Sequence, residues 1–332
     1  MKLIIQIPCY NEEETLQSVL QDLPTFIDGI DHIETQIIDD GSTDNTIAIA
    51  NKCNVDYIIK HTHNTGLAAA FRSGIENALK NGADILVNTD GDNQYNGRDI
   101  VLLVKEMLAK GADIVIGCRP IKDHFEFSNS KKMLQIFGSF VVRLISRTDV
   151  PDAVSGFRAY SKEAMLRLNI LSDFSYCIET IVQGGLMNMK IGYVPVRVNP
   201  KTRESRLYKS VFQYLTKQFK TIIFLLTIYR SALIFNGIAT LLLAAAIFLT
   251  IRFAVLVYFF NSPFTSTWPS LTLAGVLLMI SCIVYLVGLL TSLLATQRKL
   301  SEEMLYHLRC MNLLQENFKI KKRTPNNSTI DF

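Results

Sequence analysis

Asp90-Gly91-Asp92, followed by Asn93-Gln94, is the segment of this chain best suited to chemistry. Two carboxylates flanking a glycine at a strand end gather hard oxygen atoms where backbone can approach closely. Such a site binds Mg²⁺ or Mn²⁺ and shares the cation with substrate phosphates. Short acidic tripeptides are common in solvated turns, so this reading depends on its surroundings. Further polar clusters stand at Pro8 to Glu12, at Asp39-Asp40-Gly41-Ser42 and at Cys118-Arg119, each directly after an apolar run of strand length.

The elements that carry these clusters alternate. Lys2 to Ile7 reads as a buried strand, and Glu12 to Leu23 has Leu16, Val19, Leu20 and Leu23 at helical spacing. Thr35 to Ile38 reads as a strand before a helix through Ile47 and Ala50. Val55 to Ile59, Asp84 to Asn88 and Asp113 to Ile116 follow as strands, interleaved with helices at Leu67 to Leu79 and Ile100 to Leu108. Alternation of this kind predicts an α/β domain with a mostly parallel sheet covered by helices. Ligands of such sheets sit beyond the carboxyl ends of the strands, so the polar clusters are expected to converge on one crevice.

The motif set Ile7-Pro8-Cys9-Tyr10-Asn11-Glu12-Glu13, Ile38-Asp39-Asp40-Gly41-Ser42-Thr43-Asp44, Asn64-Thr65-Gly66, Asp90-Gly91-Asp92 and Gly117-Cys118-Arg119 resembles family 2 glycosyltransferases of the GT-A fold. The likeness covers roughly residues 1 to 210 and is nearest to polyprenyl-phosphate glycosyltransferases of the dolichol-phosphate mannose synthase type. It implies that Pro8, Tyr10 and Glu12 line the base and ribose of a UDP- or GDP-sugar, and that Asp40, with Asp39, accepts hydrogen bonds from the base. It further implies Asp92 and Gln94 as metal ligands, with Asp90 on the metal or the ribose. Asp152, in Asp152-Ala153-Val154-Ser155-Gly156-Phe157-Arg158, matches the acceptor loop, where the Asp is the proposed base. A lipid phosphate is already anionic at neutral pH, so Asp152 is read either as a base or as an orienting group. Arg119, Lys131, Lys132, Arg203, Ser205 and Arg206 are the candidates for gripping the acceptor phosphate. Cys118 stands where the family has Ser. Arg203 and Arg206 replace the Gly and Lys of its GxSKL loop. Glu179 is read as a donor-sugar contact or a structural carboxylate. His61 and His63, without further ligands, are read as exposed loop residues.

The second half changes character. Ser231 to Ile251 and Phe253 to Gln297 contain no charged residue, with Arg252 between them. At about 20 residues per crossing, this predicts two transmembrane helices. The expected domains are 1–207 (catalytic), 208–230 (an amphipathic interfacial helix, or a soluble helix packed on the catalytic domain), 231–297 (the membrane hairpin) and 298–332 (a basic tail). Net charge is only +4. Basic residues flank both sides of the hairpin, which puts both flanks in the cytosol and favours anionic lipid over nucleic acid as their partner. Six scattered cysteines carry no metal or redox spacing, and the N-terminal apolar run is broken by Pro8, unlike a cleaved signal peptide.

The expectation is thus an integral protein of the cytoplasmic or endoplasmic reticulum membrane. It would transfer one sugar with inversion to undecaprenyl or dolichyl phosphate. Single transfer is favoured because no QxxRW signature surrounds the sole Trp268. A neutral lipid hydroxyl as acceptor, or a transport platform with a nucleotide-binding domain, are the rival readings, and a homo-oligomer is left open.

Overall fold

The computed structural model describes residues 1–119, 129–171, 176–200, 211–259 and 263–323, with backbone alone for 129–137, 264–266, 316–323 and most of 211–231. It divides into two compact units, Met1–Ile222 with Glu303–Phe332, and Ile223–Glu302.

The first unit is built on a seven-stranded sheet. In chain order the strands are β1 (Lys2–Cys9), β2 (His32–Asp39), β3 (Tyr57–Lys60), β4 (Ile85–Asn88), β5 (Ile114–Cys118), β6 (Arg158–Ser161) and β7 (Ile191–Pro195), arranged β3-β2-β1-β4-β6-β5-β7. All neighbours pair in parallel except β6, which runs antiparallel between β4 and β5. The central strands are buried on both faces, which is why Leu3-Ile4-Ile5 and Ile85-Leu86-Val87 read as continuous apolar runs rather than alternations. Around them lie α1 (Leu16–Gln21), α2 (Thr46–Lys52), α3 (Leu67–Lys80), α4 (Ile100–Lys110), α5 (Asn129–Ser146), α6 (Lys162–Arg167) and α7 (Tyr176–Leu186). One core layer joins Ile100, Leu103, Val104 and Met107 of α4 to Leu3, Ile5, Val87, Val115 and Ala159 of the sheet. A smaller one packs Leu16 and Val19 against Ile7, Ile37 and Ala50.

The sequence patterns located the first five strands within a few residues and missed β6 and β7. The first residue of β6, Arg158, is fully buried, and a charge inside a four-residue run conceals the strand. Helix α1 is shorter than the expected Glu12–Leu23, because Glu12 to Thr15 form a turn in which Thr15 and Leu16 N–H both donate to Glu12 O.

The long helices also depart from the expected divisions. Of the expected segment 208–230, residues 211–230 are continuous with the apolar stretch that follows, in α8 (Val211–Tyr258), since no Gly or Pro intervenes before Gly237. Likewise α9 spans Phe264–Arg323, so much of the expected tail is helix, with Pro325 just beyond its end. The helices hold two stretches long and apolar enough to cross a membrane, within Ala232–Tyr258 and Thr267–Gln315, whose most apolar 18-residue windows have mean hydropathies of 2.4 and 2.7. In the second unit they pair closely. Ser281 Oγ donates to Ala239 O at 2.8 Å, and a β-carbon on Gly288 would stand 2.4 Å from Asn236 Oδ1.

Within the first unit, the end of α9 returns to the sheet domain. Arg309 Nη1 donates to Leu166 O and Leu168 O, both at 2.9 Å, at the carboxyl end of α6, where backbone carbonyls lack helical partners. The Arg167 guanidinium lies 4.2 Å from the Tyr306 ring centroid. Helices α5 and α7 touch through Gly185, where a β-carbon would sit 2.0 Å from Ser146 O. That neighbour is backbone and cannot swing away. Gly185→Ala is therefore expected to destabilise the first unit by about 1–3 kcal/mol, read as a lowered melting temperature of the purified protein. An unchanged melting point would show that the helices separate freely.

Candidate active site

The site begins with register. Gln6 of β1 lies opposite Asn88, the last residue of β4, so the Thr89 to Gln94 turn runs beside the end of β1 and meets the segment Pro8 to Glu12. Gly91 makes the meeting possible: a β-carbon there would lie 3.2 Å from Cys9 Sγ and 3.3 Å from Pro8 O. Thr15 Oγ1 is 2.7 Å from Gly91 O, to which it donates, and 3.1 Å from Glu12 Oε2. Asp92 Oδ1 accepts from Gln94 N–H at 3.1 Å, which closes the turn and leaves Gln94 half-buried on the same edge.

Asp90 is half-buried among like charges. Burial first, then Asp92 and Glu12, push its pKa up to about 7, while Arg119 and Arg158 oppose the rise. Acidic groups forced together at a buried edge fit a divalent cation, whose charge would relieve their repulsion. The donors available are the carboxylates of Asp90 and Asp92 with the amide of Gln94. Among the described residues, no cluster of three or more His, Cys, Asp or Glu is placed to hold a metal, so any cation here depends on an amide or on substrate oxygens to complete its shell.

On the β2 side, Asn11 adopts a left-handed conformation (φ 57°). From there its Oδ1 accepts from Thr43 N–H at 2.8 Å and its own N–H donates to Ser42 Oγ at 2.9 Å. Asp39 is fully buried and lies 3.3 Å from Ser42 N through each oxygen. Asp40 is bound into the neighbouring loop. Its Oδ1 accepts from Thr65 N–H (2.9 Å) and Thr65 Oγ1 (2.7 Å) and lies 2.8 Å from His61 Nδ1, while Oδ2 accepts from Gly66 N–H (2.8 Å). Burial would raise its pKa, but these donors hold it below the usual carboxylate range. The carboxylate expected to meet the nucleotide base thus anchors the Asn64-Thr65-Gly66 turn. His61, expected on an exposed loop, is paired with Asp40 and reaches Ser73 Oγ at 2.9 Å through Nε2. The available sequence signal was its position directly after β3, equivalent to that of the other polar clusters. Tyr10 stands 38% exposed at the edge, presenting an aromatic surface where an aromatic ligand can stack.

The third side joins Arg119, after β5, to Asp152. Arg119 Nε donates to Asp152 Oδ2 at 2.8 Å and Nη2 to Oδ1 at 3.1 Å, a two-point ion pair with Asp152 fully buried. Burial alone would raise the Asp152 pKa, but the guanidinium and backbone donors hold the carboxyl below its ordinary range. Cys118, buried beside it, has its thiol pushed up to about 12, by burial and then by Asp152. Glu179, in the first turn of α7, is also fully buried, with Oε1 accepting from Leu171 N–H at 3.0 Å.

Pro8, Tyr10, Glu12, Asp39, Asp90, Asp92, Gln94, Arg119 and Asp152 therefore share the carboxyl edge of the sheet. Lys131 and Lys132 fall on α5, where only backbone is described, and Arg203, Ser205 and Arg206 lie outside the described residues. Besides His61, three residues of this region were not singled out by the sequence patterns: Thr15, Asn88 and Arg158. Arg158 is fully buried and donates to Ser155 O, Cys177 O and Thr180 Oγ1, each at 2.7 Å, and to Ala153 O at 3.0 Å.

A parallel sheet with one reversed strand and an Asp-Gly-Asp turn on its carboxyl edge is a glycosyltransferase fold of the GT-A type. Glucosyl-3-phosphoglycerate synthase from Mycobacterium tuberculosis, solved with Mn²⁺ and UDP-glucose, shares it with a TM-score of 0.50 and 18% identity over 68% of this chain and 78% of that one. Residues 4–168 match the model of glycosyl transferase family 2. The chain is 32% identical over 216 residues to the UDP-N-acetylglucosamine–dolichyl-phosphate N-acetylglucosaminyltransferase of Methanococcus voltae, covering 58% of this chain and 83% of that protein. The chain belongs to glycosyl transferase family 2. The dolichol-phosphate mannosyltransferase of Pyrococcus furiosus is 30% identical over 65% of this chain and 62% of its own length.

A stability test follows from Asp90. Its pKa is raised from 3.8 unfolded to about 7 folded. Its protonated form therefore contributes stability that is complete below about pH 4 and lost as pH rises through about 7. Metal-free protein should melt at a lower temperature at pH 8 than at pH 5, and Mn²⁺ should raise the melting temperature more at pH 8. Equal increments at both values would contradict a cation bound through Asp90.

Proposed function

We propose that this enzyme transfers a single sugar, with inversion, from a UDP- or GDP-sugar to a polyprenyl phosphate at the cytoplasmic face of a membrane, using Mg²⁺ or Mn²⁺ held by Asp90, Asp92 and Gln94. The observation that carries the choice of acceptor is the buried Arg119–Asp152 pair. A carboxylate held ionised below its ordinary range by a guanidinium is a weak base. A lipid hydroxyl would need a stronger one, whereas a phosphate monoester arrives already anionic. The names of the Methanococcus and Pyrococcus relatives, both acting on dolichyl phosphate, support the same acceptor.

In this reading an acceptor phosphate oxygen attacks the anomeric carbon and forms the new C–O bond. The anomeric C–O bond to the donor diphosphate breaks, and its electron pair leaves with the nucleoside diphosphate. The cation, when bound, neutralises charge on that leaving group. Tyr10, Pro8 and Glu12 bind the nucleoside side, Asp39 supports it, and Asp40 holds the Thr65 turn. Arg119, oriented by Asp152, presents positive charge to the incoming phosphate, and Glu179 is assigned the donor sugar. Lys131, Lys132, Arg203, Ser205 and Arg206 are assigned to the acceptor phosphate on sequence likeness. The contact of Arg309 with α6 supports the topology, since it needs Met1–Ile222 and Glu303–Phe332 on one side of the bilayer.

Membranes carrying the enzyme, given a panel of labelled nucleotide-sugars, should move one label into an acid-labile lipid fraction only when polyprenyl phosphate is present. Equal transfer to the free polyprenol would overturn the acceptor assignment. Asp92→Ala should reduce turnover by at least about 100-fold, and chelation should do the same to wild type. Full activity in either case would remove the cation from the reaction. Asp152→Asn should keep measurable turnover, with a kcat–pH profile parallel to wild type. Complete loss of activity in a folded variant would restore Asp152 as the base.

A further inference from the structure

Beneath the site runs a line of side-chain amides that no catalytic assignment uses. Gln36 Nε2 donates to Gln6 Oε1 at 2.9 Å, and Gln6 Nε2 donates to Asn88 Oδ1 at 2.9 Å. Asn88 Nδ2 then donates to Gly156 O at 3.0 Å and to Tyr176 OH at 2.7 Å. Gln6, Gln36 and Asn88 are all fully buried on central strands, where neighbouring positions carry Ile, Leu and Val. Stability alone favours apolar residues at such positions, because every amide atom there must be satisfied internally.

The line has a single direction. Gln36 Nε2 also donates to Gly74 O at 2.9 Å, so this end of its amide must be the nitrogen. Gln6 must then turn its oxygen toward Gln36 and its nitrogen toward Asn88, and Asn88 must turn its nitrogen toward Gly156. Tyr176 OH accepts from Asn88 and donates to Gly156 O at 3.1 Å. Gly74 leaves the space this needs: a β-carbon there would be 1.9 Å from Gln6 Oε1.

What the line grips is the junction of the two halves of the site. Gly156 lies in the loop between Asp152 and Arg158, and a β-carbon on it would stand 3.0 Å from Asp90 Oδ1 and 3.2 Å from Oδ2. Asp90 therefore rests directly on the loop that carries Asp152. Arg158 fixes that loop at Ala153 O and Ser155 O, and Asn88 fixes it at Gly156 O.

We propose that Asn88 is a positioning residue for sugar transfer: aligned by Gln6 and Gln36, its amide locks Gly156 against Asp90, setting the separation between the leaving-group side and the acceptor side. This rests on the functional reading above.

The test uses the full chain in lipid nanodiscs, with Gln6→Glu as an isosteric variant. The hydrogen-bond partners of Gln6, namely Gln36 and Asn88, are both neutral. When ionised, the introduced carboxylate cannot donate to Asn88 Oδ1 and so forces the Asn88 amide to turn over. When protonated, it donates as the Gln6 amide does. At pH 8 the kcat of this variant should fall at least about tenfold below wild type, and the ratio to wild type should recover toward pH 6. Binding of Mn²⁺, with UDP and with GDP, should stay within about twofold. Tyr176→Phe, which keeps the ring stacked on Phe71 at 3.8 Å, should lower kcat about three- to tenfold at both pH values with Mn²⁺ binding retained, and it decides the matter if Gln6→Glu does not fold. Unchanged kcat in both variants, or a fall matched by lost Mn²⁺ affinity and lower melting temperature, would overturn the inference. Wild-type transfer is established first with the nucleotide-sugar panel, so failure of the functional reading shows in wild type and failure of this inference only in the variants.

Discussion

The constraint on which the rest depends is the crowding of like charge at one end of a sheet. Asp90, Asp92 and Glu12 are brought together by the register of β1 against β4, and burial makes their repulsion strong. A fold selected only for stability would separate them. Here a β-carbon at Gly91 or Gly156 would crowd its neighbours, at 3.2 Å from Cys9 Sγ and 3.0 Å from Asp90 Oδ1, so glycine at both positions lets the backbone bring the acidic groups close. Arg119 and Arg158 temper the field without meeting it with an equal number of charges, because Arg119 is already committed to Asp152. The result is an edge that favours cations and, through them, phosphate.

The two arginines solve different problems. Arg119 forms a charged pair with Asp152, and removing one partner of such a pair leaves the other charge uncompensated in the interior. Arg158 directs its hydrogen bonds to carbonyls and a hydroxyl, so its charge is spread over backbone dipoles and it works as a staple between the Ala153–Ser155 turn and the first turn of α7. One sets electrostatics at the β5 end of the site and the other sets shape.

Much of this could be read from residues alone. Strands flanked by acidic and asparagine-rich turns were legible because apolar runs of four to eight residues ending in Pro, Asp or Gly have few other interpretations. The grouping of Pro8, Tyr10, Asp39, Asp90, Asp92 and Arg119 on one edge followed from the strand order. Partner choice was not legible. Asp40, expected to meet the nucleotide base, also binds Thr65, Gly66 and His61, residues more than twenty positions away. Arg158 hid β6, and the amides of Gln6 and Gln36 gave no pattern, since their partners lie on other strands. Helices α8 and α9 run through the expected domain boundaries near 230 and 298, because nothing in either stretch prevents a helix from continuing.

The return of α9 to α6 has a consequence for biosynthesis. The first unit is discontinuous in sequence: Arg309, which closes over the end of α6, is separated from Leu166 by the whole of the apolar hairpin. As the chain leaves the ribosome, the sheet with its acidic edge can form early, but the clasp over α6 waits until both long helices have been made. Final consolidation of the catalytic unit is thereby tied to completion of the hairpin, so a chain arrested before α9 would carry the chemical groups of the site without the last contact that secures their support.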